Sequence, residues 1–369
     1  MTSLGWESES VYSSPEAYYR ALLLDINNAT QTIELAVYIF TLDTLGQRFF
    51  DALVGAAGRG VRVCVQVDGI GSVDDGETLA ASFARENIDC RIYHPLPWYL
   101  SAYRWSVTPG SFAGKLAHFI LSLNRRDHRK FCVIDKQLAW CGSFNLCADH
   151  LAKTPPWRDY GVRLTGFAVA LLRDNFYAVW ERRPSVITPH DFRFLRCNNS
   201  RKLRRMRNRL LVQRIRLARE RVWIVSAYFS PSGEVIRALK RARQAGMDVR
   251  VVVADRSDIT VFPSLSATYY ADLMTMGVAI YAYQAGILHA KAVLIDDECV
   301  MGSSNLNHRS FYHDLELDVL LASPQSVATV TELIEQDMAD SVRASLDDLS
   351  VMSRRFWFGW LLRALRYWM

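Results

Sequence analysis

Two histidine–lysine pairs stand out in this chain, His128-x-Lys130 and His289-x-Lys291. Each is followed by four mostly apolar residues, an aspartate (Asp135, Asp296), a short gap and Gly-Ser-x-Asn. The second part reads Gly142-Ser143-Phe144-Asn145 in one copy and Gly302-Ser303-Ser304-Asn305 in the other. Every residue type here has a use at a phosphodiester. Neutral imidazole is a nucleophile at phosphorus and, once protonated, a general acid near pH 7. Two imidazoles let one attack while the other protonates the leaving alkoxide. Lysine brings compact positive charge to the non-bridging oxygens, and the serine hydroxyls and asparagine amides of Ser143, Asn145, Ser303 and Asn305 add oriented donors for phosphate. Neither copy carries Asp, Glu and His at ligand spacing, so no metal and no cofactor is expected; Lys130 and Lys291 take the charge-neutralising role. Alone, H-x-K reads as a strand with an incidental His and Lys. Two full copies in the same order exclude coincidence.

The elements around the motifs repeat as well. Strand-like runs at 33–40 and 222–229 each follow a helical stretch. Each is followed by a helix ending in Ala and Gly, then by a β-branched run ending at Asp68 or Asp255. Such alternation predicts βαβ units and a mainly parallel sheet in each half. Within the motif strands, alternation puts His and Lys on one face and turns Asp135 and Asp296 to the other. The two aspartates are therefore read as turn-fixing residues of the fold. The second hairpin is one residue shorter, five residues (297–301) against six (136–141). That leaves open whether Ser303 and Asn305 sit as Ser143 and Asn145 do.

The chain has 369 residues, half of them apolar and 22% charged, with net charge +6. This excludes a disordered chain, a fibrous repeat and a small disulfide scaffold, and it fits two domains. The basic excess points to a polyanionic partner. The seven cysteines form no C-x-x-C pair and read as buried free thiols of a reducing compartment. No secretory signal and no transmembrane run is expected.

The duplicated motif, with an acidic residue after each copy in Trp157-Arg158-Asp159-Tyr160 and Leu315-Glu316-Leu317, resembles the HKD signature of the phospholipase D superfamily over about residues 11–340. Gly-Ser-Ser-Asn-Leu at 302–306 and Ala227-Tyr228-Phe229 with Pro231 are most similar to bacterial cardiolipin synthases lacking N-terminal transmembrane helices. The resemblance implies an α/β chain of two pseudo-twofold-related domains, at 1–190 and 200–345, each a mixed sheet flanked by helices. The active site would lie at their interface. It implies a displacement through a phosphohistidine, with His128 as nucleophile and His289 as general acid, later base. It also implies that Asp159 holds His289 and Glu316 holds His128 across the pseudo-twofold.

Three further segments bear on the substrate. The first half carries about 26 more residues between Asp68 and His128 than the second does between Asp255 and His289. The aromatic, cation-edged stretch at about 94–124 reads as a lipid-facing insertion. Residues 350–369 read as a basic amphipathic helix in a membrane interface, with Trp357, Trp360 and Trp368 in the apolar face and Arg363 and Arg366 in the basic stripe. Residues 201–221 read as a packed helix with a very basic outer face. The expectation is a phosphatidyltransferase that makes cardiolipin from two phosphatidylglycerols and releases glycerol. Its partners would be anionic phospholipids and a membrane surface, with nucleic acid disfavoured and the oligomeric state open. It would be peripheral on the cytoplasmic face of the bacterial inner membrane. A phospholipase D hydrolysing to phosphatidic acid, and then a nuclease of the same superfamily, are the alternatives.

Overall fold

A computed structural model describes residues 6–94, 125–152 and 156–345. The membrane-facing expectations at 94–124 and 350–369 therefore fall, but for His94, outside the described residues. The strands are β1 (Ser8–Tyr12), β2 (Thr32–Val37), β3 (Arg62–Asp68), β4 (Asp89–Tyr93), β5 (Phe131–Ile134), β6 (Leu138–Gly142) and β7 (Gly161–Thr165) in the first half. The second half has β8 (Leu195–Cys197), β9 (Arg221–Ser226), β10 (Asp248–Ala254), β11 (Ala279–Tyr283), β12 (Lys291–Ile295), β13 (Glu298–Gly302), β14 (Leu317–Leu321) and β15 (Ser341–Arg343).

The two sheets share one plan. The first runs β1-β7-β6-β5-β2-β3-β4; the second, from the equivalent edge, runs β8-β14-β13-β12-β9-β10-β11, with β15 added at the end. In both, the two βαβ crossovers supply three parallel strands, β2-β3-β4 and β9-β10-β11. The remaining neighbours are antiparallel hairpin partners and edge strands. The expected mixed α/β sheets, flanked by helices and duplicated, are what the chain forms, but the sheets are not mainly parallel as the βα alternation suggested, because the motif hairpins and edge strands all pair antiparallel.

Apolar burial makes the layers. Helices Pro15–Asn28, Thr44–Gly58 and Gly76–Arg85 cover the outer face of the first sheet, burying Tyr19, Ile26, Phe49, Leu53 and Phe83. Ser14 starts the first of these helices by accepting the Ala17 N–H, with Pro15 at the first turn. Helix Gly233–Gln244 and the short helices Phe262–Ala267 and Tyr270–Met274 do the same for the second sheet. A third core joins the halves. It contains the inner faces of both sheets and the helices Val169–Trp180 and Pro324–Ala339. The N-terminal segment also crosses over, because Trp6 donates its indole N–H to Leu320 O at 3.0 Å.

The hairpin difference is absorbed in the turns. The β5–β6 turn has three residues between Ile134 and Leu138, with Asp135 and Lys136 at φ +50° and +61°. The β12–β13 turn has two between Ile295 and Glu298, with Asp296 at φ +52°. The Asp135 carboxylate accepts the Thr30, Gln31 and Thr32 N–H groups and the Thr30 hydroxyl, at 2.7–3.0 Å. Asp296 accepts the Arg219, Glu220 and Arg221 N–H groups at 2.9–3.2 Å. Each turn is thereby tied to the chain entering the central strand, β2 or β9. Gly142 stays opposite Lys130, and Gly302 reaches the same place opposite Lys291. Both motifs thus end in the same register.

The helix Arg201–Arg216 is packed and carries the expected basic outer face. Ser200 caps it through the Leu203 N–H, but its basic residues do not all face outward. Arg204 and Arg207 are buried. Arg204 donates to the carbonyls of His313 and Asp314, and Arg207 to the Ser310 carbonyl and the Asp318 carboxylate. The inner face of this helix therefore holds the backbone that leads to Glu316. Arg201, Lys202, Arg205, Arg209 and Arg216 remain exposed.

Candidate active site

Two short parallel bridges bring the motifs together. Asp127 pairs with Leu315, with His128 N–H on Leu315 O at 3.0 Å. Arg158 pairs with Leu288, with His289 N–H on Arg158 O at 2.8 Å. The segment carrying each acid is thus hydrogen-bonded to the segment that carries the other half's histidine. The side chains follow. His289 Nδ1 lies 2.6 Å from Asp159 Oδ1, and His128 Nδ1 lies 3.2 Å from Glu316 Oε2. With Nδ1 of each ring turned to a carboxylate, Nε2 is the atom left for chemistry.

The lysines complete the centre. Lys130 Nζ donates to His128 O at 2.8 Å and Lys291 Nζ to His289 O at 2.5 Å. Each ammonium also lies near a tyrosine ring, Lys130 over Tyr38 at 5.1 Å and Lys291 over Tyr228 at 5.9 Å. All six residues, His128, His289, Lys130, Lys291, Asp159 and Glu316, are buried and meet between the halves.

The serines are placed differently from the expectation. Ser143 Oγ donates to Asp159 Oδ1 at 2.6 Å, and Ser303 Oγ to Glu316 Oε2 at 2.5 Å. Their hydroxyl protons are engaged by the acids and orient them. The asparagines brace the neighbouring strand ends: Asn145 Oδ1 accepts the Ile39 N–H and Asn305 Oδ1 the Tyr228 N–H. The motif glycines have a steric reason. A Cβ on Gly142 would overlap the Tyr160 carbonyl, and one on Gly302 the Leu317 carbonyl. Only glycine lets the acid-bearing segment approach this closely.

Burial dominates the titration of the site. Burial, then the Lys291 charge, pushes Lys130 down to about 7, and burial pushes Lys291 down to about 8 against its carboxylate neighbours. Burial, then the two lysines, holds His128 well below the usual imidazole range. Burial and Lys291 lower His289 although Asp159 opposes them. The acids differ. Burial acts to raise Asp159, yet His289 and His150 hold it well below the carboxylate range, whereas burial raises Glu316. A pocket with crowded cations and neutral imidazoles is suited to an incoming anion.

Sequence reasoning missed several contributors. Tyr38 lies edge-on to His128, with centroids 5.0 Å apart, and Tyr228 faces His289 at 6.4 Å. Tyr228 is the counterpart of Ile39 and Tyr38 that of Ala227, because the motif asparagines accept the Ile39 and Tyr228 N–H groups, so the repeat gave no signal for this pair. His150 and Ser310 were also missed, though each stands five residues after a motif asparagine. Among the described residues, His150, Asp159 and His289 form the one group of side chains that could converge on a metal ion. Both imidazoles, however, sit at hydrogen-bond distance from separate carboxylate oxygens, 2.7 and 2.6 Å.

The chain is similar to known proteins over most of its length. The family model described as "Cardiolipin synthase, PLD-like domain" matches residues 22–154 and 211–338. "Cardiolipin synthase A" of Pseudomonas aeruginosa is 32% identical over 352 residues, covering 90% of this chain and 67% of that protein. "Probable cardiolipin synthase YwiE" of Bacillus subtilis is 25% identical over 351 residues, covering 91% of this chain and 67% of that protein. Among solved structures, phosphatidylserine synthase of Haemophilus influenzae superposes with a TM-score of 0.68 at 11% identity, over 98% of this chain and 96% of that one. That likeness is one of fold. With both family segments containing a complete motif and the relative of 32% identity aligned through nearly the whole chain, this protein belongs to the cardiolipin synthase, PLD-like domain family of the phospholipase D superfamily.

Proposed function

We propose that the protein transfers a phosphatidyl group from one phosphatidylglycerol to the hydroxyl of a second, forming cardiolipin and releasing glycerol. The observation that carries this reading is the crossed pair of imidazoles, each on the other half's carboxylate, around two buried lysines. The naming of its relatives as cardiolipin synthases supports the lipid substrate. In the first half-reaction, His128 Nε2 bonds to phosphorus as the phosphorus–oxygen bond to glycerol breaks. The leaving oxygen takes the proton from His289 Nε2. In the second, His289 Nε2 removes the proton of the acceptor hydroxyl, whose oxygen attacks phosphorus and breaks the phosphorus–nitrogen bond. Lys130 and Lys291 neutralise the non-bridging oxygens. Asp159 and Glu316 fix the ring tautomers and offset the imidazolium charge. Bringing a phosphodiester anion between the lysines favours the protonated His289 that the first step requires.

Among the described residues no helix is long and apolar enough to cross a membrane. The proposal assigns contact with anionic bilayers at the cytoplasmic face to residues 94–124 and 350–369, on the composition of those segments. Labelled phosphatidylglycerol in mixed micelles, with products separated by chromatography, tests the activity. Cardiolipin is expected. Phosphatidic acid alone would make the protein a hydrolase, and no lipid product would refute phosphatidyl chemistry. Acid quenching during turnover should leave label on His128; label on His289 would reverse the two roles.

A further inference from the structure

Five residues beyond the motif asparagines the two halves part company: one carries His150, the other Ser310. They occupy equivalent places. His150 Nε2 receives the Asn145 backbone N–H at 3.4 Å, and Ser310 Oγ receives that of Asn305 at 3.2 Å. Each then reaches the outer oxygen of its acid, His150 Nδ1 to Asp159 Oδ2 at 2.7 Å and Ser310 Oγ to Glu316 Oε1 at 2.5 Å. The lengths compensate: the shorter acid has the longer partner, and the longer acid the shorter partner.

The hydrogen bonds settle the His150 tautomer. Nε2 accepts, so Nδ1 carries the proton and donates it to Asp159. Asp159 therefore accepts from three donors, the Ser143 hydroxyl and two imidazoles, at 2.6–2.7 Å. His150 is fully buried, with its ring 4.8 Å from that of Trp157 and 5.5 Å from that of His289. Both its ring nitrogens are engaged within the protein, and the acid it holds is the one kept firmly ionised.

We propose that His150 is a positioning residue for phosphatidyl transfer: by donating Nδ1–H to Asp159 it keeps that carboxylate aimed at His289, and so makes His289 the proton carrier of the pair. This rests on the phosphatidyl-transfer reading above. Its consequence is specific to proton delivery. Attack by His128 does not need His150, whereas protonation of the departing glycerol oxygen does.

Two donors separate these effects in single-turnover experiments. Phosphatidylglycerol releases an alkoxide that must be protonated; phosphatidyl-p-nitrophenol releases a nitrophenolate that need not be. His150→Ala should slow the first turnover on phosphatidylglycerol by roughly 10- to 100-fold, the range for losing one charge-assisted hydrogen bond. The nitrophenolate burst should stay within about threefold of the parent, because the acid is not needed there. His150→Gln, which retains a donor and an acceptor without titrating, should recover most of the phosphatidylglycerol rate, and its thermal melt shows whether the fold is kept. Equal slowing of both donors, or no slowing of either, overturns the positioning role. A parent enzyme that gives neither cardiolipin nor a nitrophenolate burst refutes phosphatidyl transfer itself, and the proposal falls with it.

Discussion

Asp159→Asn and Glu316→Gln are formally the same change in the two halves, and the structure predicts very different losses. Asp159 accepts Ser143, His289 and His150 at 2.6, 2.6 and 2.7 Å. An amide there must turn an NH2 toward one of these donors, and it removes the charge that stabilises the His289 imidazolium. Unit charges about 4 Å apart at an effective dielectric near 20 interact by about 4 kcal/mol, which corresponds to roughly a thousandfold in rate. Glu316 lies farther from its imidazole, 3.2 Å, and burial already raises its carboxyl. Glu316 also accepts three donors, but two are the Ser303 and Ser310 hydroxyls, which can turn to accept from an amide; with His128 proposed as a neutral nucleophile, Gln there forfeits mainly one charge-assisted hydrogen bond. That is worth about 1.5 kcal/mol, or about tenfold. The expected ratio of the two losses is therefore about a hundredfold. Single-turnover transfer from phosphatidylglycerol measures it, with thermal melting to confirm that both variants fold. Equal losses, or a greater loss for Glu316→Gln, would refute the division of roles between His128 and His289.

Substrate affinity should weaken as pH rises through about 7 to 8, the values to which Lys130 and Lys291 are lowered in the empty site. A bound phosphodiester anion favours both ammonium forms, so binding takes up protons in that window; a KM constant from pH 6.5 to 9 would contradict it. Asp135→Ala should cost about 2 kcal/mol in urea unfolding with little change in turnover of the folded enzyme, because four hydrogen bonds to residues 30–32 are lost. Although burial opposes it, the N–H groups of Thr30, Thr32 and Gln31 hold this carboxyl low. Its contribution should therefore be complete above about pH 4 and vanish as pH falls through the folded-state value. Deleting residues 354–369 should reduce sedimentation with anionic vesicles, more at low salt, while sparing turnover of a short-chain soluble lipid; unchanged pelleting would move the membrane contact elsewhere.

The chemistry of the site was legible because it is local in sequence. His128-x-Lys130 and Gly142-Ser143-x-Asn145 are short-range patterns, and their recurrence at 289–305 exposed the duplication. The βαβ strands were legible for the same reason, since β2, β3, β9 and β10 are apolar runs between helical periods. Features that depend on distant partners were not. Edge strands β1 and β8, of five and three residues, have no burial pattern of their own and exist because β7 and β14 offer open edges. The inward turn of Arg204 and Arg207 follows from carbonyls about a hundred positions away. Ser143 and Ser303 were given to phosphate because a hydroxyl beside a catalytic lysine is a natural donor. Their actual acceptors, Asp159 and Glu316, lie 16 and 13 residues further on and arrive only through the close approach at Gly142 and Gly302.

The crossed bridges Asp127–Leu315 and Arg158–Leu288 make each half's histidine depend on the other half. Each contributes a histidine and lysine to the pocket but takes the acid for its histidine from the other, so one half alone has an imidazole without an orienting carboxylate. Exact symmetry would leave the assignment of roles to the substrate. Two equivalent imidazoles beside one phosphate would be told apart only by the orientation of the bound substrate. Pairing Asp159 with His150 and Glu316 with Ser310 breaks that equivalence without disturbing the backbone plan, because the paired lengths compensate. In the proposed roles, the ionised acid held by two imidazoles opposes the lowering of His289, and the longer contact at Glu316 leaves His128 neutral and nucleophilic. On the proposed reading, the direction of transfer is set by this substitution in the residues behind the acids, while the motifs in front remain alike.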